Sequence, residues 1–245
     1  MSIAKRFIFF CLIGLCLGGC NSRTQQPTPT VVHPEVEIAL DPALDWLRQP
    51  IFVCAANLNT GIPSITENEA VQNSPIHLVW GETGAGVHPI FQLGEDEVVL
   101  IVNANNPTPQ LSFASAQAIF KGETADWKGV APNLTNLGEI HIWNFPSTLH
   151  IGEFFMHWLD ITPNPAATIH LAPDPAAIRQ AVSADPSAIG WLPKRWLDKT
   201  VKEVPIPDLT TEKKRVPILV YLDQIPDLEQ SAWIKCLQDK ITPKP

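Results

Sequence analysis

The sequence predicts an α/β fold with a largely parallel sheet, and three observations carry that expectation. Short apolar runs of strand-like composition, IHLVW (76–80), VVLIV (98–102), IHIW (140–143) and AIGWL (188–192), are separated by stretches of helical period. Asp41-Pro42 offers an N-cap and a first-turn proline where one run ends. The twenty-four prolines fall mostly between the runs, as loop punctuation does.

Taken in order, EVEIAL (35–40) alternates as a strand. A helix capped at Asp41 then carries Leu44, Leu47, Ile51 and Ala55, with Pro50 forcing a kink or a division into two pieces. Strands follow at 62–65, 76–80 and 98–102. In the second half, residues 112–120 form a helix, 140–143 a strand, and 147–159 a helix capped by Ser147 or Thr148. Beyond the run 168–171 come a helix at 174–183, strands at 188–192, 201–206 and 216–222, and a closing helix at 228–237. No repeat of solenoid type is present.

Ahead of these elements, Lys5 and Arg6 precede an apolar stretch from Phe7 to Leu17, too short to span a bilayer, which ends in Leu17-Gly18-Gly19-Cys20. The pattern resembles the lipobox of bacterial lipoproteins. That resemblance implies a signal peptide at 1–19, an acylated Cys20, and a mature chain held by two or three acyl chains, palmitate-type lipid among them, on the extracytoplasmic face of a membrane. Residues 20–34 then form a polar, proline-bearing tether. Loss of Lys5 and Arg6 takes the net charge from −8 to −10, which argues against nucleic acid as a partner. With Cys20 lipidated, Cys54 and Cys236 remain as an isolated pair in an oxidising compartment, read either as a disulfide or as two separate buried thiols.

Two segments carry a further resemblance. In 98–130, a strand ending in Asn103 precedes a short helix and then Ile119, Phe120, Gly122 and Trp127 at the spacing of "IF-G-x-x-x-x-W". In 177–197, a helix runs into the turn V-x-x-x-P-x-A-I-G-W, with Trp191 in place of a tyrosine. Both are similar to the phosphate-type substrate-binding proteins of ABC transporters, and with the periodic pattern the likeness covers residues 35–241. The resemblance implies a type II periplasmic-binding-protein-like fold: two α/β lobes joined by two crossing strands, with a ligand cleft between them. Lobe I would comprise 35–104 plus 206–245, lobe II 105–205, and 103–107 and 204–207 would be the pivots. Cys54 and Cys236 would then both lie in lobe I.

The candidate ligand contacts implied are Asp41 and Ala43 on the first-lobe turn, Gly81 and Glu82 after a strand, Asn103 near the crossing, and Ser147, Thr148 and His150 at the second-lobe helix start. The hydroxyls would donate to ligand oxygens beside helix N–H groups, whereas Asp41 or Glu82 would prefer a hydroxyl or amine to a bare anion. Asp41-Pro42 departs from an anion cradle, since a carboxylate stands there and Pro42 has no N–H. The expected function is a small-polar-solute receptor for a transporter permease, without cofactor, metal or chemistry of its own. The alternative is an adaptor or sensor on the same scaffold with a degenerate ligand site; an enzyme ranks below both. His150, Glu153 and His157 share one helix face, read as a polar surface rather than a metal site.

Overall fold

The computed structural model describes residues 35–58, 61–66, 74–82, 89–162 and 168–241. The expected signal peptide at 1–19, Cys20 and the expected tether lie outside the described residues. Strands β1 (Glu35–Leu40), β2 (Ile62–Thr66), β3 (Ile76–Trp80), β4 (Ile90–Asn103), β5 (His141–Asn144), β6 (Ile169–Leu171), β7 (Ala188–Pro193), β8 (Val201–Val204) and β9 (Arg215–Leu222) form one sheet. Its order is β2-β1-β3-β9-β4-β7-β5-β6, with β8 also on β4. The helices are 3-10 pieces at Pro42–Leu47, Pro132–Leu134 and Lys194–Trp196, and α1 (Arg48–Leu58), α2 (Phe113–Phe120), α3 (Trp127–Val130), α4 (His150–Trp158), α5 (Pro175–Ala184), α6 (Thr211–Lys214) and α7 (Leu228–Ile241).

The sheet is mixed rather than largely parallel. β1 pairs in parallel with β2 and β3, and β5 with β6 and β7, as strands joined by helical crossovers do. Every pairing of β4, and that of β3 with β9, is antiparallel. The reason is β4 itself, which extends well upstream of the predicted 98–102 and serves two neighbourhoods. Residues from Ile90 to Glu97 pair with β9, and Val98 to Asn103 pair with β7 and β8. Its first part is mostly exposed or half-buried, with only Leu93 and Asp96 buried, while the last six residues are all buried, so only the second part reads as a central strand in sequence.

The helix after β1 is in two pieces, divided at Arg48 rather than at Pro50. Pro50 stands in the first turn of α1, where it costs no hydrogen bond, but its ring would clash with the Trp46 carbonyl of a continuous α-helix, and a 3-10 piece avoids that clash. Cys54 on α1 and Cys236 on α7 meet as a disulfide with Cα atoms 5.8 Å apart. α5 lies tightly on β7 because Gly190 has no Cβ: one there would stand 2.9 Å from Ile178 and 3.2 Å from Val182.

Candidate functional site

The turns that follow β1 and β3 meet the elements around β5 and β7: Trp80 lies beside Trp191, Gly81 lies against Phe154, and Asp41 shares a pocket with Asp174 and Trp196. On the first side, Asp41 leaves β1 and caps the 3-10 helix. Its Oδ1 accepts the Ala43 N–H at 2.8 Å, its Oδ2 lies 3.4 Å from the Trp80 N, and its own carbonyl accepts Leu44 N–H at 2.8 Å. The carboxylate thus occupies the place at the helix start where a bound anion would sit, and Pro42 adds no donor. Ala43 is buried, and its carbonyl accepts the Trp196 indole N–H at 2.8 Å.

Gly81 follows β3 at φ +100°, a conformation L side chains avoid, and its N–H donates to the Pro217 carbonyl at 2.9 Å. A Cβ at Gly81 would stand 2.7 Å from the Phe154 ring of α4. Glu82, next in sequence, is exposed.

On the second side, the helix start differs from expectation. Leu149 is the N-cap of α4 and makes no side-chain cap bond, so Ser147 and Thr148 do not cap it. They sit upstream in an exposed turn closed by the Leu149 N–H on the Pro146 carbonyl at 3.0 Å. The chain passes so close here that a Cβ on Gly152 would lie 2.2 Å from the Pro146 oxygen, and this approach sets the helix start downstream of the hydroxyls. His150 turns inward and hydrogen-bonds the Trp80 backbone; burial lowers its pKa, against an opposing pull from Glu153. Its helix neighbours stay outside, with His157 3.7 Å from Glu153, and no metal-holding group of three occurs among the described residues.

Between the two sides runs an aromatic seam. Trp80, fully buried, meets Phe154 edge-on at 5.1 Å and lies 6.0 Å from Trp191. Trp191 stacks on Phe155 at 4.2 Å and meets Phe145 at 4.8 Å. Its indole N–H donates to Asn144 Oδ1 at 2.8 Å, an oxygen that also accepts the Phe145 amide at 2.8 Å. The Trp80 indole reaches Asp96 Oδ2 at 3.3 Å. Asp96 is buried where β4 changes partners, and burial raises its pKa.

Asn103 does not join this group. β4 runs antiparallel to β7, so its end lies at the opposite edge, where the Asn103 amide donates to Ser183 and Val182 carbonyls at 2.7 and 3.2 Å and its Oδ1 accepts Asn105 N–H at 2.9 Å. The side chain is a structural tie to the end of α5.

A pocket of about 200 Å3 remains beside the seam, lined by Asp41, Asp45 and Arg48 from the first side and by Asp174, Ala176 and Trp196 from the second. Asp45 pairs with Arg48 at 2.5 Å, and Asp174 caps α5 through the Ala177 N–H at 2.8 Å. Three carboxylates against one guanidinium leave the pocket unfavourable to a bare anion. Asp41 is the one lining residue among the ligand contacts expected from sequence. Trp196 and Asp174 lie far along the chain, and no local signal marks them as facing Asp41.

No family model and no curated protein matches the sequence. Solved structures do match in fold. A putative phosphate ABC transporter substrate-binding protein with bound phosphate from Clostridium perfringens aligns at TM-score 0.71 and 15% identity over 83% of this chain and 93% of that one. An ABC-type phosphate transport receptor from Vibrio cholerae aligns at TM-score 0.65 and 16% identity over 85% and 100%. The regulatory domain of the LysR-family regulator MetR from N. meningitidis aligns at TM-score 0.59 and 13% identity over 84% and 93%. The chain therefore has the type II periplasmic-binding-protein-like fold, one shared by transport receptors and by regulatory domains.

Proposed function

We propose that this protein is a lipid-anchored extracytoplasmic solute receptor of an ABC-type transporter, acting by binding rather than by chemistry, and that its solute is not bare phosphate. The observation that carries the reading is the coextensive fold: two phosphate-transport receptors align over 83–85% of this chain and 93–100% of their own. The anchor rests on the Leu17 to Cys20 run, which would keep a receptor beside its permease. The solute class rests on the pocket between Asp41 and Trp196, where carboxylates outnumber cations and Asp41 takes up the Ala43 N–H that an oxyanion would need.

A second reading, an adaptor or sensor without a ligand, is favoured by the aromatic seam. Phe154 against Gly81 and Trp80 against Phe154 close the two sides directly on one another. One experiment separates the two. The mature protein is melted against phosphate, amino acids, polyols and amines, and any solute that raises Tm is followed by small-angle scattering. The receptor reading expects a stabilising solute other than phosphate, compaction with it, and loss of the shift in Asp45→Asn with Trp196→Phe. Stabilisation by phosphate alone sinks the solute class. No stabilising solute at all, together with an acylated Cys20 peptide in the membrane fraction, leaves the adaptor.

A further inference from the structure

A second cavity of about 200 Å3 opens away from the seam, where β1 and β3 begin. Val36 and Ile38 of β1, Ile76 of β3, Ala55 of α1 and Trp233 of α7 make its wall apolar, and Asp227 and Glu229 also line it. The site is pre-formed. The Trp233 indole N–H donates to the Ile51 carbonyl at 3.4 Å. Asp227 Oδ1 accepts the Gln230 amide at 2.8 Å while Gln230 Oε1 accepts the Asp227 N–H at 3.2 Å. The disulfide joins α1 to α7, the two helices that contribute to the wall. Ile62 and Leu228, next in sequence to lining residues, are 59% and 89% exposed.

We propose that this cavity is a ligand site separate from the pocket at Asp41, and that it takes a small aromatic or branched amine. The apolar body enters the wall of Val36, Ile38, Ile76 and Trp233, and the ammonium stays at the mouth facing Asp227 and Glu229. Size supports the body, because an apolar cavity of roughly 150 Å3 holds a benzene-sized molecule. Charge supports the head. Asp227 and Glu229 are exposed acids on a chain of net charge −8, a field that attracts a cation and opposes a carboxylate, an anionic membrane surface or a second copy of the chain. Since both carboxylates are solvated, the charge preference is a matter of a few-fold rather than of orders of magnitude.

The test uses three probes with one ring and different heads: benzylamine, benzyl alcohol and benzoate. Each is titrated into the mature protein at low salt, and the Trp233 indole N–H signal is followed by NMR. Benzylamine should bind about threefold tighter than benzyl alcohol, benzoate weakest, and each probe that binds should move the Trp233 signal. Asp227→Asn with Glu229→Gln, both exposed and with the α7 cap retained by Asn, should erase the amine preference and leave benzyl alcohol binding unchanged. Ala55→Leu should fill the cavity and abolish binding of all three. Failure of benzylamine to bind, or binding that leaves Trp233 unmoved, overturns the site. Equal affinity for the three heads, or an amine preference that survives in the exposed double variant, overturns the ligand class. None of these residues lines the pocket at Asp41, so the outcome is independent of the receptor reading.

Discussion

The half of the sheet built from β1, β2, β3 and β9 draws on both ends of the described chain, whereas the half built from β5, β6 and β7 comes from one run between residues 141 and 193. The first half is stapled by Cys54–Cys236, 182 residues apart. The second contains no cysteine and is held by packing and hydrogen bonds, with Phe155 on Trp191 and on Phe120 and the Trp191 indole on Asn144. Joining distant segments carries a loop-closure cost, and a cross-link offsets it most where the loop is longest; a local run can rely on packing. The facing turns repeat the contrast. Asp41 closes the first-half turn with its own carboxylate, while the second-half helix starts at Leu149 without a side-chain cap.

The largest expected effect is on the staple. Reducing the disulfide, or Cys54→Ala with Cys236→Ala, should cost up to about 5 kcal/mol on the chain-entropy estimate, read by urea unfolding. Hydrogen exchange should rise in β1, β3, α1 and α7 before β5 and β7. Uniform loss of protection across both halves would break the comparison.

Next come the glycines of the two turns. Gly152→Ala pushes a Cβ onto backbone, 2.2 Å from the Pro146 oxygen, and should cost more than about 3 kcal/mol. Gly81→Ala meets only the Phe154 ring, which can turn aside, and adds positive-φ strain, for about 1–2 kcal/mol. If Gly81→Ala proves the costlier, the tight approach in the second half is not what fixes the start of α4. Asp41→Ala should cost about 1–2 kcal/mol and Asp41→Asn less, because Asn still caps; the Ser147→Ala, Thr148→Ala double variant, outside any cap, should stay within about 0.5 kcal/mol.

Most elements were legible in sequence because their apolar period and their breaks agree. EVEIAL, IHLVW and AIGWLP are strands, and Asp41, Ser112 and Asp174 start helices through side-chain caps. The misses have physical causes. The first part of β4, around Gln92, Gly94 and Glu95, is polar because it lies half-exposed against β9 with a register shift at Gln92/Gly94, so periodicity could not mark it. Ser147 and Thr148 look like caps, but the close approach of Gly152 to Pro146 displaces the helix start past them. Asn103 ends a strand as a cleft residue does, yet strand direction puts it at the far edge, which only the pairing of β4 with β7 reveals. Phe154, Trp196 and Asp174 reach the candidate site through contacts across the sheet, with no local pattern to announce them.

The smallest effect is pH dependence, and it contrasts a second-half residue with the strand that links the halves. Burial lowers the His150 pKa below its ordinary value of about 6.5, so the unfolded chain takes up a proton first, and His150 makes stability fall as pH drops below about 6.5. Burial raises the Asp96 pKa above the ordinary carboxylate value of about 3.8. There the folded protein takes up the proton first, and stability contributed by Asp96 is gained as pH falls through that raised value and levels off below about 3.8. The two groups act with opposite sign in different windows. Urea melts at pH 7.5, 6, 5 and 4 should show a decline that His150→Gln flattens, while Asp96→Asn removes the compensating gain at the acid end and leaves the first decline in place. A wild-type decline that persists in His150→Gln would place the acid-sensitive contact elsewhere than the seam between Trp80 and α4. A decline abolished by Asp96→Asn instead would place it on β4.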